Sequence, residues 1–204
     1  MVVEPQFQLA NDFSEGLAAV AGDWYQQMIT IEGLISLDDG KALVGERWGF
    51  IDRSGAWVIP PQFGEVRFFK EGLAATRIDD QWGFVNPQGA WAIAPQFDYP
   101  LVGNIDFDHG FATVRKGDQT WLINQAGAAV LTDFAGIAAF KEGRARFQRH
   151  GKCGFLDEQG KVIAAAQFHT RTQDFKNGLA RVYTDEETFG YMNAHGVFVW
   201  APQR

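Results

Sequence analysis

The side chains that could do chemistry are few, and their spacing does not bring them together. Four histidines (His109, His150, His169, His195), one cysteine (Cys153) and three acidic stretches (Asp38-Asp39, Asp79-Asp80, Asp185-Glu186-Glu187) are the first candidates for acid, base, nucleophile or metal ligand. A zinc or iron site needs His or Cys ligands at short regular spacing, and none of these histidines has such a neighbour. A calcium loop wants several oxygens at set positions around a glycine, so the acidic stretches read instead as solvated hairpin tips. His150 and Lys152 are of the types that lower a thiol pKa, but the place of Cys153 in the pattern described next makes it a small buried apolar residue. No phosphate-cradling glycine loop, nucleophile elbow or HExxH helix occurs. The expectation is a protein without catalytic residues, metal or cofactor, and hence not an enzyme.

The elements that position these residues repeat. Pro-Gln-Phe or a relative of it recurs at Pro5-Gln6-Phe7, Pro61-Gln62-Phe63, Pro95-Gln96-Phe97, Thr132-Asp133-Phe134 and Ala166-Gln167-Phe168, with Pro202-Gln203 last. A Phe then precedes a glycine step: Phe13 with Gly16, Phe69 with Gly72, Phe107 with Gly110, Phe140 with Gly143, Phe175 with Gly178. Next comes Trp-Gly-Phe or its derivative, beginning at Trp48, Trp82, Trp121, Cys153 and Phe189, which lie 34, 39, 32 and 36 residues apart. Finally Asp or Asn stands three residues before Gly: Asp52 and Gly55, Asn86 and Gly89, Asn124 and Gly127, Asp157 and Gly160, Asn193 and Gly196.

Each of these last pairs predicts a tight hairpin. An Asp or Asn side chain bonds the backbone two residues on, and the glycine accepts a positive φ. Trp48, Phe50 and Asp52 alternate with Gly49 and Ile51, the period-2 pattern of a strand before the turn. Trp57-Val58-Ile59 reads as the strand after it, ended by proline, and Leu73-Ala74-Ala75-Thr76 as an earlier strand, giving about three strands per unit. The glycines of the Trp-Gly step let a bulky ring or a backbone approach closely, and Trp48, Trp82 and Trp121 before them read as core.

These landmarks resemble the WG-containing repeat of bacterial proteins over nearly the whole chain, most clearly at Phe69-Lys70-Glu71-Gly72-Leu73-Ala74 and from Trp82-Gly83-Phe84-Val85-Asn86 to Pro95-Gln96-Phe97. Leu122 departs from the pattern at the glycine, Cys153 and Phe189 at the tryptophan. The resemblance implies a β-rich repeat scaffold and brings no catalytic residue with it.

The expected fold is all-β: five tandem β-meander repeats of about 35 residues in a single domain, stacked as an open solenoid-like array, with a five-bladed propeller-like closure as the alternative. The units run roughly 5–60, 61–94, 95–131, 132–165 and 166–204. Both termini carry the same third-strand sequence, Val2 to Phe7 and Phe198 to Gln203, which favours the open form. Unit one carries an insertion near 21–40. In it Trp24 to Ile31 reads as a strand and Asp38-Asp39-Gly40 as a turn, and the whole as a hairpin that is either a cap or a functional surface. A second phasing would use Glu32-Gly33-Leu34 as the unit's glycine step.

Charge narrows the partners. A net charge of −7 and the absence of a basic stripe argue against nucleic acid, which needs clustered Lys and Arg. The start of the chain lacks the basic and apolar regions of a signal peptide, and no apolar run is long enough for a spanning helix. That places the protein in the cytoplasm, or in the periplasm if a signal was removed. The expected function is a non-catalytic binding module, foremost a protein–protein interaction scaffold, including an acidic inhibitor or immunity-like protein for a basic partner. The alternative is carbohydrate or cell-envelope binding through Trp57 and Trp91 on adjacent units, with Trp24 and Tyr25 from the insertion. Arg144 and Arg146 concentrate positive charge in unit four and form a further candidate surface.

Overall fold

The computed structural model describes residues 7, 9–22, 47–98 and 105–203, which fall into two compact units, Met1–Tyr99 and Pro100–Arg204. Trp24, Tyr25 and the insertion lie outside the described residues. In the first unit β1 (Leu9–Ser14), β2 (Leu17–Gly22), β3 (Arg47–Asp52) and β4 (Trp57–Phe63) form one antiparallel sheet. A second sheet holds β5 (Glu65–Val66), β6 (Ala74–Ile78), β7 (Gln81–Val85) and β8 (Trp91–Phe97). The second unit has three sheets. The first comprises β9 (Phe111–Lys116), β10 (Gln119–Asn124) and β11 (Ala129–Thr132), and the next β12 (Gly136–Ile137), β13 (Arg144–Arg149), β14 (Lys152–Asp157) and β15 (Val162–Phe168). The last comprises β16 (Leu179–Tyr183), β17 (Phe189–Asn193) and β18 (Phe198–Gln203). All five are meanders, and no helix occurs among the described residues.

The turns explain the meanders. Asp52 Oδ1 accepts from the N–H groups of Ser54 (2.8 Å) and Ala56 (3.1 Å), and Gly55 closes the turn with φ of +86°. Asn86, Asn124, Asp157 and Asn193 make the same pair of bonds to the residues two and four positions on. Each of these hairpins joins the middle strand of a meander to the last. A second turn, less visible in sequence, joins the inserted Phe to the first strand of the meander. Lys70 and Leu73 exchange both backbone hydrogen bonds, while Glu71 (φ +53°) and Gly72 (φ +79°) are both left-handed. That is a two-residue type I′ turn, and it recurs at Glu15-Gly16, His109-Gly110, Glu142-Gly143 and Asn177-Gly178. Asn and His are favoured occupants of the first position; Glu there carries strain.

The Trp-Gly step is decided by the last strand. Between Trp48↔Phe63 and Phe50↔Ile59 the register spends three residues of β4 on one of β3, so Pro60, Pro61 and Gln62 arch across Gly49. A Cβ on Gly49 would stand 2.5 Å from the Ile59 carbonyl oxygen; the corresponding gaps are 2.7 Å at Gly83, 2.7 Å at Gly154 and 2.5 Å at Gly190. In the third sheet the pairing passes without interruption from Trp121↔Thr132 to Leu122↔Leu131. No arch crosses there, so Leu122 fits where the other sheets need glycine. The same arch corrects the expectation that proline ends the third strand. β4 runs through Pro60-Pro61 because a bulged edge strand has no ladder hydrogen bond for proline to remove.

Meanders also gain a short outer strand beyond the three expected, β1, β5 and β12, pairing the stretch after Pro-Gln-Phe to the first long strand. Within each unit the core lies between sheets. Leu17, Ala19, Phe50, Ile59 and Phe63 of the first sheet pack on Phe69, Ala74 and Val85 of the second. Cys153, Phe155, Ala164 and Phe168 of the fourth pack on Phe175, Ala180, Val182 and Met192 of the fifth.

Replacing Gly83 by alanine is expected to cost on the order of 1–3 kcal/mol, measured by denaturant unfolding, because the added methyl meets backbone rather than a movable side chain. Replacing Leu122 by alanine leaves a cavity instead, and the two variants separate the arched from the regular meander. The Asp52 carboxyl is held below its ordinary value, first by the Ser54 hydroxyl and then by the Ser54 N–H. A lowered folded pKa stabilises the fold above the ordinary carboxylate range and loses that contribution as pH falls through the folded value. Asp52→Asn is therefore expected to flatten the acid limb of a Tm-versus-pH curve.

Candidate functional site

The sequence candidates are placed as follows. Trp57 is half-buried, edge-on to Phe7 at 5.3 Å, and Trp91 is edge-on to Phe63 at 5.8 Å. In each case the partner Phe ends the preceding Pro-Gln-Phe. Phe198 meets Phe168 in the same way at 6.2 Å. The two tryptophan rings also lie over Gly49 and Gly83 of their own sheets. Each ring is therefore packed on two sides, and Trp91 is still 38% exposed.

Arg144 and Arg146 share a sheet face, opposite Asp157 and Phe155. Both reach the next meander: Arg144 Nε donates to Ala194 O at 3.3 Å, and Arg146 Nε donates to Asp174 Oδ1 at 2.8 Å. Lys141 Nζ stands 3.8 Å from the same carboxylate. Burial opposes the charge of Arg146, but Asp174 and the Cys153 sulfur outweigh it and raise its pKa. Cys153 itself is fully buried in the core under that guanidinium. Arg149 turns the other way, donating to Asp133 O at 3.2 Å and to Thr132 O. These cations tie successive meanders together.

The histidines stay apart. His109 pairs with Asp108 at 3.1 Å and stacks on Phe140, His150 bonds Asp133 at 3.0 Å, and the His169 ring accepts from the Arg171 N–H at 3.3 Å. His195 stands exposed in the Asn193 turn. Among the described residues no group of three His, Cys, Asp or Glu is placed to hold a metal. No helix among them is long and apolar enough to cross a membrane.

Two surfaces remain. The first is a set of acidic hairpin tips. The turn between the first and second long strands carries Asp79-Asp80 in the second sheet, Asp118 in the third and Asp185-Glu186-Glu187 in the fifth. Asp80 and Asp118 are fully extended into solvent, with arginines only at 3.8 Å (Arg77) and 3.6 Å (Arg115). In the first sheet this position is the Gly22↔Arg47 pair, from which the insertion departs.

The second surface was not legible as a site. It is the face of the last sheet turned away from the fourth, carrying Arg181, Tyr183, Phe189, Tyr191 and Trp200. The Arg181 guanidinium lies 3.8 Å from the Phe189 ring centre and 5.0 Å from that of Tyr183. Tyr191 and Trp200 stack at 5.8 Å with planes 17° apart. The sequence signal lay in substitutions of the repeat: Phe189 stands where other units have Trp, Tyr191 where they have Phe, and Trp200 where they have Ile or Ala.

The fold and these surfaces define an all-β protein of repeated antiparallel meanders, with Phe69 packed on Phe50 between the first two sheets and Phe175 on Phe155 between the last two. The chain belongs to the family described as WG containing repeat, whose profile matches residues 1–21, 48–82, 82–119 and 154–186. Among solved structures it is similar to Kluyveromyces lactis Hsv2, at 13% identity and TM-score 0.37 over 92% of this chain and 61% of that one. It is also similar to BamB from Moraxella catarrhalis, at 9% identity and TM-score 0.37 over 92% of this chain and 71% of that one. Similarity to the WD40 beta propeller domain of Doa1 is 10% at TM-score 0.34, over 94% of this chain and 66% of that one. The chain spans 55% of the first of the Hsv2 structures it matches. No curated protein sequence matches it.

Asp174→Ala leaves a partly buried Arg146 without its carboxylate and is expected to cost about 1–2 kcal/mol by equilibrium unfolding. Replacing both partners together, with Arg146→Leu, is expected to recover part of that loss.

Proposed function

We propose that the chain is a non-catalytic binding module, a protein–protein interaction scaffold whose acidic hairpin tips meet a basic protein partner. The observation that carries this reading is the recurrence of exposed carboxylates at the same hairpin in three sheets, Asp79-Asp80, Asp118 and Asp185-Glu186-Glu187. Exposed carboxylates at a hairpin tip steer association more than they tighten the final complex. The net charge of −7 acts in the same direction.

The glycan alternative rests on Trp57 and Trp91. Their contacts with Phe7 and Phe63 favour a packing role, and Trp91→Ala is expected to lower stability by about 1–2 kcal/mol whether or not sugars are bound. Glycan-induced quenching of tryptophan fluorescence, lost in that variant, would revive the carbohydrate reading.

The direct test is affinity purification of the tagged chain from lysate of its own source, followed by kinetics with the recovered partner. A stoichiometric basic protein whose association rate falls steeply with salt, and falls again in an Asp79→Asn, Asp80→Asn, Asp118→Asn variant, is the expected result. A partner whose association is indifferent to both would sink the electrostatic form of the proposal.

A further inference from the structure

The type I′ turns that follow the inserted Phe begin with Glu15, Glu71, His109, Glu142 and Asn177. Asn177 is followed by Gly178, and this is the one Asn-Gly step in the chain. Asn suits the left-handed position better than Glu does. It also brings a reactivity that the other four lack. Its side-chain amide carbon is an electrophile one residue away from a backbone nitrogen, and the glycine that owns this nitrogen has no side chain to shield it.

The folded turn keeps the two atoms apart. In a type I′ turn the first central residue has ψ of about +30°, which sets the Gly178 nitrogen on the far side of the Cα–C bond from the Asn177 side chain. The fourth meander locks that geometry. Glu142 Oε1 accepts from the Asn177 N–H and Oε2 from the Gly178 N–H, both at 2.7 Å. Across the turn Lys176 and Leu179 exchange their backbone hydrogen bonds at 2.9 and 3.3 Å. The nitrogen that would attack is turned away, and its proton is held by a carboxylate.

We infer that Asn177-Gly178 is a latent deamidation site that Glu142 keeps closed, and that its conversion frees the turn of the fifth meander from the fourth. Once the turn opens, the Gly178 nitrogen attacks Asn177 Cγ. The N–Cγ bond forms, the Cγ–Nδ2 bond breaks, and ammonia leaves with the Gly178 proton, giving a cyclic imide. Water then cleaves one of the two bonds from that nitrogen to a carbonyl carbon. Cleavage at Cγ leaves an ordinary aspartyl residue; cleavage at the backbone carbonyl leaves an isoaspartyl link with an added methylene in the main chain. Neither product rebuilds the lock. The first sets a new negative charge next to the N–H groups that the Glu142 carboxylate binds, and the second puts those groups out of register. Asp174 and Phe175, which fasten to Arg146 and Phe155, lie just ahead of the turn, so the change acts on the contact between the fourth and fifth sheets.

The test holds the full chain at mildly alkaline pH and reads each asparagine over time by peptide mass spectrometry, with an isoaspartyl methyltransferase to count isoaspartyl links. Residue 177 is expected to show the mass gain of an amide-to-acid exchange ahead of every other asparagine, slowly in the native protein and much faster in urea. Glu142→Ala with wild-type circular dichroism is expected to react about tenfold faster than wild type, for the loss of two hydrogen bonds to a charged group. Should that variant lose its fold, Glu142→Gln keeps one acceptor oxygen and is expected to fall between the two. Glu15→Ala removes the equivalent bond to Gly72 in the first unit and is expected to leave the rate at residue 177 unchanged. Asn177→Asp, the ordinary product made by mutation, is expected to lower Tm, and the drop to shrink when Glu142→Gln is added. No conversion at residue 177 even in urea overturns the site. Equal rates in native and unfolded protein, or wild-type rates in the folded Glu142 variants, overturn the gate. An unchanged Tm in Asn177→Asp overturns the release.

Discussion

Each arched meander depends on the passage of its last strand across the middle one at a glycine. The Ile59 carbonyl oxygen comes so near Gly49 that a single methyl group would collide with backbone, and the approach recurs at Gly83, Gly154 and Gly190. The arch lets Phe63, Phe97 and Phe168 turn into the core after a stretch containing prolines or alanines, and the rings of Phe63 and Phe168 then meet the next meander. The third sheet shows the dependence by its exception. Its last strand pairs without the arch, and the glycine position there holds Leu122, buried in the core around Phe134 and Phe147. Glycine and arch are thus lost together, as they must be if one exists to make room for the other.

Contacts between meanders rest on strain that is offset locally. Glu15, Glu142 and their equivalents adopt a left-handed backbone that costs non-glycine residues free energy. The glutamates recover some of it by reaching forward. Glu15 Oε2 accepts from the Gly72 N–H at 2.9 Å, and the two oxygens of Glu142 accept from the N–H groups of Asn177 and Gly178, both at 2.7 Å. The type I′ turn of one meander therefore holds the type I′ turn of the next, and the inserted Phe sits just ahead of it. His109 reaches the following meander by stacking on Phe140 instead. Residues that look like ordinary surface charges in a sequence are fasteners here, and the same is true of Arg144, Arg146 and Arg149.

The contrast between the two surfaces follows from this economy of contacts. Carboxylates at the strand-to-strand tips point away from every fastener, so Asp80 and Asp118 stay in water. Phe50 and Phe155 are covered by the meander that follows each of them. On the last sheet no meander follows among the described residues, and the amphipathic Tyr191 and Trp200 occupy places that elsewhere hold Phe, Ile or Ala. Those replacements suit a surface that is part apolar and part wet.

Chemistry that is local in the chain could be read from the sequence alone. An Asp or Asn three residues before Gly acts on backbone two and four positions away, so its hairpin follows from neighbours in sequence whatever the rest of the molecule does. The repeat, the all-β class and the family resemblance follow in the same way from spacing. Tertiary structure decided everything that depends on a partner far along the chain. That Pro60 and Pro61 continue a strand and that Gly49 answers to Ile59 are set by the register in which β3 and β4 pair, which the sequence does not state. The binding of Arg146 to Asp174 depends on a residue 28 positions away, while Arg181, alike in sequence, pairs with no carboxylate among the described residues. A one-dimensional pattern says which residues recur; only the folded chain says which of the recurring positions has a neighbour to fill it.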